Sequence, residues 1–307
     1  MFWFFLILAL LALAAAWPFL AQRRLPPPDP RQAPGLFAAL SQGETHYRWH
    51  GPARGPVAVL VHGLTTPSPV WDDVAQGIVA LGYRVLTYDL YGRGYSDAAP
   101  GLQDRAFFLR QLSDLLAHEN LSENITLVGY SMGGAIATAQ AATHPEQIKR
   151  LVLIAPAGIL PLPDTGIEGV VRRTPGLGDW LHLALGARRM QARIRANATR
   201  DGTAPALTAL QLAELNRRGF LPAVLSSLRG ILSQTQEEDH RALGRADVPV
   251  FAIWGEGDTV IAIRGLGLLA TWNRATRQES LPDAGHGLIH THAPQILDLL
   301  RAMLRED

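Results

Sequence analysis

The chain opens on a stretch of twenty uncharged residues, Met1 to Leu20, and only then breaks into short alternating blocks. As a helix at about 1.5 Å per residue, this stretch spans roughly 30 Å, the thickness of a bilayer's hydrocarbon core. Trp3 and Trp17 lie near its ends, where indole rings favour the headgroup layer. Residues 1–22 are therefore expected to be a single-pass membrane anchor, with residues 1–20 in the bilayer. Arg23 and Arg24 follow, then Leu25-Pro26-Pro27-Pro28-Asp29-Pro30, so residues 23–43 are expected to form a stiff extended linker. A cleaved signal peptide is the rival reading, with Ala14-Ala15-Ala16 as its cleavage site, but the positive segment that should precede it is missing. Arginines after the span favour the cytoplasmic side for the rest of the chain, with an extracytoplasmic domain as the alternative.

Beyond the linker the apolar positions fall into two kinds of run. Val57 to Val61, Arg84 to Tyr88, Ile125 to Val128, Leu151 to Ile154 and Val250 to Trp254 are short and nearly continuous, as strands buried on both faces require. A weakly alternating stretch, 44–50, and a run ending near Leu281 add candidate strands. Between them, Val70 to Leu81, Phe107 to His118 and Ala135 to Thr143 have helical spacing, and Pro294 to Leu304 closes the chain as a helix. Strands alternating with helices predict an α/β fold, a mostly parallel sheet with helices on both faces. The rhythm stops between Gly158 and Ala246, where Arg, Leu and Ala recur at helical spacing. The expected organisation is an α/β core over 44–157 and 247–307, interrupted by a helical cap over 158–246.

Composition removes several classes of function. Charged residues are 18% of the 307, hydrophobic ones 48%, and the formal net charge is +1. No basic field argues for nucleic acid, so no nucleic-acid partner is expected. The absence of cysteine excludes disulfides, thiolate nucleophiles and zinc–thiolate sites. Lys149 is the only lysine, and the arginine bias runs along the whole chain rather than marking a site.

Gly129-Tyr130-Ser131-Met132-Gly133 joins an expected strand to an Ala-rich helix. A serine in the centre of G-x-S-x-G sits on a sharp strand-to-helix turn with its hydroxyl above the sheet, and the flanking glycines tolerate the crowding. A serine hydroxyl needs a base. The candidate is His286, in Asp283-Ala284-Gly285-His286-Gly287, just after the last expected strand. Asp258, after the strand at 250–254, is the candidate acid to orient the imidazole, with Glu256 and Asp283 as competitors. The backbone N–H of Met132, and that of Leu64 in the loop after Val57–Val61, are the candidate oxyanion donors. His62, Tyr130, Trp180 and Leu288 are candidates for the substrate pocket, although His62 reads more naturally as a residue that shapes its loop. Trp180, Leu181, Leu183 and Leu185 could line an acyl pocket or simply pack.

These segments, with His62-Gly63 and Asp89-Leu90-Tyr91-Gly92-Arg93-Gly94-Tyr95-Ser96, resemble the α/β-hydrolase superfamily over Thr45 to Leu304. The resemblance implies eight strands and a helical cap inserted before the strand that leads to the acid. A serine nucleophile separates the chain from the epoxide hydrolases and haloalkane dehalogenases, and the N-terminal anchor is similar to that of membrane-bound monoacylglycerol lipases and esterases. One departure is Asp258-Thr259-Val260-Ile261-Ala262, which lacks the proline often found after the acid. The expected function is cleavage of carboxylic esters, such as a monoacylglycerol, without cofactor or metal. An acyltransferase, a C–C bond hydrolase or a perhydrolase could use the same residues, and a non-catalytic lipid-binding scaffold is the alternative from another class. The expected partners are a small-molecule ester or lipid and the bilayer. His286, His290 and His292 lack the adjacent glutamate of a metalloprotease helix, so His290 and His292 are expected to cap or flank the last helix. The arginines of the insertion, Arg172, Arg173, Arg188, Arg189, Arg193 and Arg195, are expected to form a solvated face or to meet anionic lipid heads.

Overall fold

A computed structural model describes residues 1–163 and 165–304; Asp164 of the expected cap and residues 305–307 of the expected core lie outside the described residues. The apolar N-terminus is one helix, α1 (Phe2–Arg24). There follow β1 (Leu36–Leu40), β2 (Gly43–His50), β3 (Val57–Val61), α2 (Asp72–Val79), β4 (Arg84–Tyr88), α3 (Arg105–His118), β5 (Ile125–Tyr130), α4 (Met132–Thr143) and β6 (Ile148–Ile154). The insertion holds α5 (Gly166–Arg173), α6 (Leu177–Asp201), α7 (Pro205–Glu214), α8 (Phe220–Arg229) and α9 (Glu237–Arg245). The core resumes with β7 (Val250–Gly255), α10 (Arg264–Trp272), β8 (Arg277–Leu281), α11 (Leu288–Thr291) and α12 (Ala293–Leu304).

All eight strands form one sheet in the order β1-β2-β4-β3-β5-β6-β7-β8. β1 and β2 are antiparallel to their neighbours and the rest are parallel. Successive residues of a strand point to opposite faces, so a continuous apolar run serves two cores at once. Val59 and Val61 pack with Leu127, Leu153 and Trp254 on the face covered by α3 and α4. Ala58 and Leu60 pack with Val128, Val152 and Ile253 on the face covered by α2 and α12.

Two boundaries differ from the expectation. Leu36–Leu40, placed in the linker, is a strand paired to β2 from Leu36↔Tyr47 to Leu40↔Gly43. What is left of the linker is docked, because Arg218 donates from its backbone N–H to the Pro26 carbonyl (2.9 Å) and from Nε to that of Leu25 (2.8 Å). The last helix assigned to the cap, α9, sides with the core: it packs on α4 and α10, Asp239 pairs with Arg105 at 2.8 Å, and His240 stacks on Trp272.

Among the described residues, α1 is the one helix long and apolar enough to cross a membrane, with a mean hydropathy of 2.4 over 18 residues. Length and composition are those of an anchor or of a signal sequence. It packs along α6, where the Trp180 indole N–H donates to the Ala14 carbonyl at 3.2 Å.

Candidate active site

Ser131 stands between the end of β5 and the first turn of α4, with φ 54° and ψ −120°. This is backbone a side chain adopts only under constraint. The constraint is visible in its bonds: Ser131 N–H donates to Ile154 O (3.0 Å), while its carbonyl accepts from Gly134 (2.8 Å) and Ala157 (3.0 Å). The flanking glycines are required by close approach. A Cβ on Gly129 would lie 2.4 Å from the Gly133 carbonyl, and one on Gly133 would lie 2.0 Å from that of Val61.

His286 follows β8 in the loop before α11. Its Nε2 lies 3.0 Å from Ser131 Oγ and its Nδ1 2.7 Å from Asp258 Oδ2. A carboxylate only accepts, so Nδ1 carries the proton and the Nε2 lone pair faces the serine hydroxyl. Asp258 follows β7 and is buried. Its other oxygen, Oδ1, accepts from the backbone N–H groups of Val260 (2.7 Å) and Ile261 (2.8 Å). The competing acids are elsewhere: Glu256 accepts from Ser280 Oγ at 2.8 Å, and Asp283 is an exposed turn residue with φ 59°.

The loop after β3 crosses above the serine, so that a Cβ on Gly63 would sit 3.3 Å from Ser131 Cβ. This brings Leu64 to the same end of the sheet as Met132, the first residue of α4. Among the described residues, neither the Leu64 nor the Met132 N–H donates to a protein acceptor.

Of the four pocket candidates, three are engaged with other partners and the fourth contacts His286. His62 is fully buried, with Nδ1 on Gly63 O (2.8 Å) and Nε2 accepting from Leu90 N–H (2.9 Å). Burial pulls its pKa down to about 4, so it is a neutral brace between two loops. Leu288 is fully buried in the core beneath α11, and Trp180 faces α1. Tyr130 is buried as well. Its hydroxyl donates to the His286 carbonyl at 2.7 Å, and its ring stacks on the imidazole at 5.4 Å.

His290 lies within α11, its Nε2 3.2 Å from Thr203 Oγ1, and His292 is the residue between α11 and α12. Among the described residues, no group of three or more His, Asp or Glu side chains is placed to hold a metal ion. Of the arginines in the insertion, Arg193 pairs with Glu168 at 2.7 Å. Sequence reasoning assigned no task to the Asp89–Ser96 loop. Asp89 is buried there, accepting from His46 Nδ1 and from the Ser68 and Tyr95 N–H groups, each within 2.9 Å. Burial alone would raise its pKa, but His46 foremost, with the Tyr95 N–H, holds it at about 2.

A family model described as alpha/beta hydrolase fold matches residues 56–293. The pimeloyl-[acyl-carrier protein] methyl ester esterase of Chromobacterium violaceum is 32% identical, over 75% of this chain and 84% of that protein. The 2-hydroxymuconate semialdehyde hydrolase of Pseudomonas putida is 26% identical, over 90% of this chain and 97% of that one. Among solved structures, the enol-lactonase from Burkholderia xenovorans LB400 superposes with a TM-score of 0.73 at 23% identity, covering 88% of this chain and 100% of that chain; it shows the shared fold.

Proposed function

The chain belongs to the α/β-hydrolase fold family, and from that premise we propose that it is a serine hydrolase of carboxylic esters that works through an acyl-enzyme on Ser131. The observation that carries this reading is the unbroken line from Ser131 Oγ to His286 Nε2 (3.0 Å) and from Nδ1 to Asp258 (2.7 Å). Ser131 Oγ attacks the ester carbonyl as Nε2 takes its proton, and Asp258 stabilises the imidazolium that forms. The negative charge on the carbonyl oxygen falls to the Leu64 and Met132 N–H groups. His286 then returns the proton to the departing alcohol. Water, deprotonated by the same nitrogen, attacks the acyl-enzyme and frees the acid. No step needs a cofactor.

The proposed substrate is a lipid-like acyl ester such as a monoacylglycerol, and α1 is proposed to be a retained anchor that keeps the enzyme at the bilayer with its catalytic domain on the cytoplasmic side. The support is the apolar helix itself and its contact with the cap helix α6. A second reading, C–C bond hydrolysis, is favoured by the 2-hydroxymuconate semialdehyde hydrolase of Pseudomonas putida, which matches over 90% of this chain.

The full chain in detergent, wild type beside Ser131→Ala, should be assayed on aryl esters from acetyl to dodecanoyl, a monoacylglycerol and 2-hydroxymuconate semialdehyde. Ester turnover that collapses in Ser131→Ala and peaks at long chains is the expected result. Turnover of the semialdehyde alone moves the assignment to the second reading, and a folded wild type inert on every compound sinks both.

A further inference from the structure

Arg93, in the middle of the Asp89–Ser96 loop, is a fully buried guanidinium with no carboxylate among its hydrogen-bond partners. Nε donates to Leu64 O at 3.1 Å. Nη1 donates to Tyr91 O at 2.8 Å and to Gln103 Oε1. Nη2 donates to Ser227 Oγ at 2.8 Å and to Ala223 O at 3.3 Å. A guanidinium has five N–H donors, and each has an acceptor here. Burying a cation among neutral acceptors is costly, and an apolar side chain of similar length would fill the same space without that cost. What the apolar side chain lacks is the planar fork that holds several acceptors in fixed directions.

The acceptors come from two parts of the molecule that the chemistry needs in register. Leu64 belongs to the loop over Ser131, while Ala223 and Ser227 belong to the cap helix α8. Leu64 is held by the cap a second time, since its side chain packs against the cluster of Leu215, Phe220, Leu221 and Val224. The loop and α8 are in direct contact: a Cβ on Gly92 would lie 2.4 Å from that of Ala223. A third tie joins cap to loop, with Glu214 of α7 accepting from Gly94 N–H at 3.0 Å.

We propose that Arg93 is a positioning residue: it ties the Leu64 carbonyl to the cap helix α8, and so anchors on one side the residue whose N–H, on the preceding peptide, is held on the other side through the Gly63 carbonyl by His62 Nδ1 (2.8 Å). This rests on the serine-hydrolase reading, in which that N–H stabilises the oxyanion. Its consequence is that the oxyanion site is complete only while the cap is seated. A displacement of α8 breaks the Arg93 bonds to Ala223 and Ser227 and loosens the guanidinium that holds the Leu64 carbonyl. The cap thus governs transition-state stabilisation. Removing an oxyanion donor costs about 100- to 1000-fold in kcat, and loosening one costs less, roughly 10- to 100-fold.

The test separates tetrahedral from ground-state binding in the full chain in detergent. Arg93→Met, Arg93→Lys and Ser227→Ala are compared with wild type on one aryl ester and on two inhibitors of equal chain length. The first is an alkyl trifluoromethyl ketone, whose carbonyl carbon Ser131 Oγ attacks, the serine proton passing to His286 and the oxygen becoming an anion in the oxyanion site. The second is an alkyl ether, which forms no adduct. Arg93→Met should lose about 10- to 100-fold in kcat, weaken the ketone by the same factor, and leave KM and the ether unchanged. Arg93→Lys keeps the charge without the fork and should recover only part of the loss. Ser227→Ala, on the cap, should shift kcat and ketone affinity together in the same direction, and it carries the test if Arg93→Met fails to fold. Equal weakening of ketone and ether, or wild-type kcat in the folded variants, overturns the proposal. A wild type that neither hydrolyses the ester nor binds the ketone overturns the serine-hydrolase reading, and the positioning role with it.

Discussion

The Tyr130 hydroxyl donates to the main-chain carbonyl of His286 at 2.7 Å, while its ring stacks on the imidazole at an interplanar angle of 29°. One side chain, adjacent to Ser131, thus fixes both the backbone and the ring plane of His286. Tyr130→Phe keeps the stack and removes the bond. It should cost about 1 kcal/mol of stability, the ordinary net worth of a hydrogen bond, and lower kcat by up to about tenfold through a looser imidazole. Denaturant titration and steady-state kinetics on one ester measure the two effects. A kcat unchanged in Tyr130→Phe would show that the stack alone holds the ring.

Asp258 has its two oxygens divided between His286 and a pair of backbone N–H groups. In Asp258→Asn, the side-chain amide cannot accept at both places. If its oxygen keeps the Val260 and Ile261 N–H groups, its NH₂ faces Nδ1 and the imidazole takes the wrong tautomer. The expected loss in kcat is about 10³- to 10⁴-fold with little change in KM. An Asp258→Asn enzyme within tenfold of wild type would hand the role to another acid, with Glu256 the first to substitute.

The φ of 54° at Ser131 is a conformation that glycine adopts freely and alanine does not. Both Ser131→Ala and Ser131→Gly should be inactive, but their stabilities should separate. Alanine keeps the strain, while glycine releases part of it against a larger loss of unfolded-state entropy, leaving Ser131→Gly the more stable by about 1 kcal/mol. Equal midpoints in urea for the two variants would place the strain elsewhere in the turn.

Burial raises the Glu214 carboxyl to about 7, against the opposing pull of Arg217 and the Gly94 N–H. The folded state therefore keeps a proton that the unfolded chain releases from the ordinary glutamate value of 4.5 upward. The contribution to stability falls as pH rises from 4.5 to about 7, by up to about 3 kcal/mol in total. His240 acts in the other direction. Burial pulls it down to about 4, so its contribution is lost as pH falls from 6.5 through 4. Glu214→Gln retains an acceptor for Gly94 and carries no charge. Relative to wild type it should gain stability progressively between pH 5 and 7.5, which denaturant midpoints at several pH values will show. A difference independent of pH would mean that Glu214 stays ionised in the fold.

Most of the parallel sheet was legible because a strand buried on both faces must be apolar throughout, as Val57–Val61 and Ile125–Val128 are. The Ser131 turn was legible because G-x-S-x-G gained meaning from the strand before it and the helix after it. Asp258 and His286 were legible from their places after successive strands. What escaped depends on partners distant in sequence. Leu36–Leu40 resembles linker until β2 is beside it. Two glycines in Arg264–Trp272 obscure α10. Nothing local tells Trp180 to face Ala14 rather than a pocket, or Leu288 to enter the core. Arg93 stood in a segment that was singled out, but its role needs three loops and α8 in one place.

The docking of α1 on α6 bears on how the N-terminal segment can be removed. Phe19 closes one side of a cavity of about 290 Å³ whose other walls include Leu183, Pro222 and Leu225 of the cap. Arg218 holds the chain at Leu25 and Pro26. Deleting residues 1–34 therefore strips a partner from the helical insertion as well as the apolar helix itself. The lost bonds and apolar contact correspond to roughly 1–3 kcal/mol, or about 2–4 °C in Tm for each kcal/mol in a domain of this size. The shortened protein should melt earlier and bind an apolar dye through the uncovered cap. Trp180→Ala in the full chain should show a smaller shift in the same sense, since it removes one contact and leaves Phe19 in place. A shortened protein with the full chain's Tm and no added dye binding would mean that α1 leaves the cap in solution and is held only by its tether.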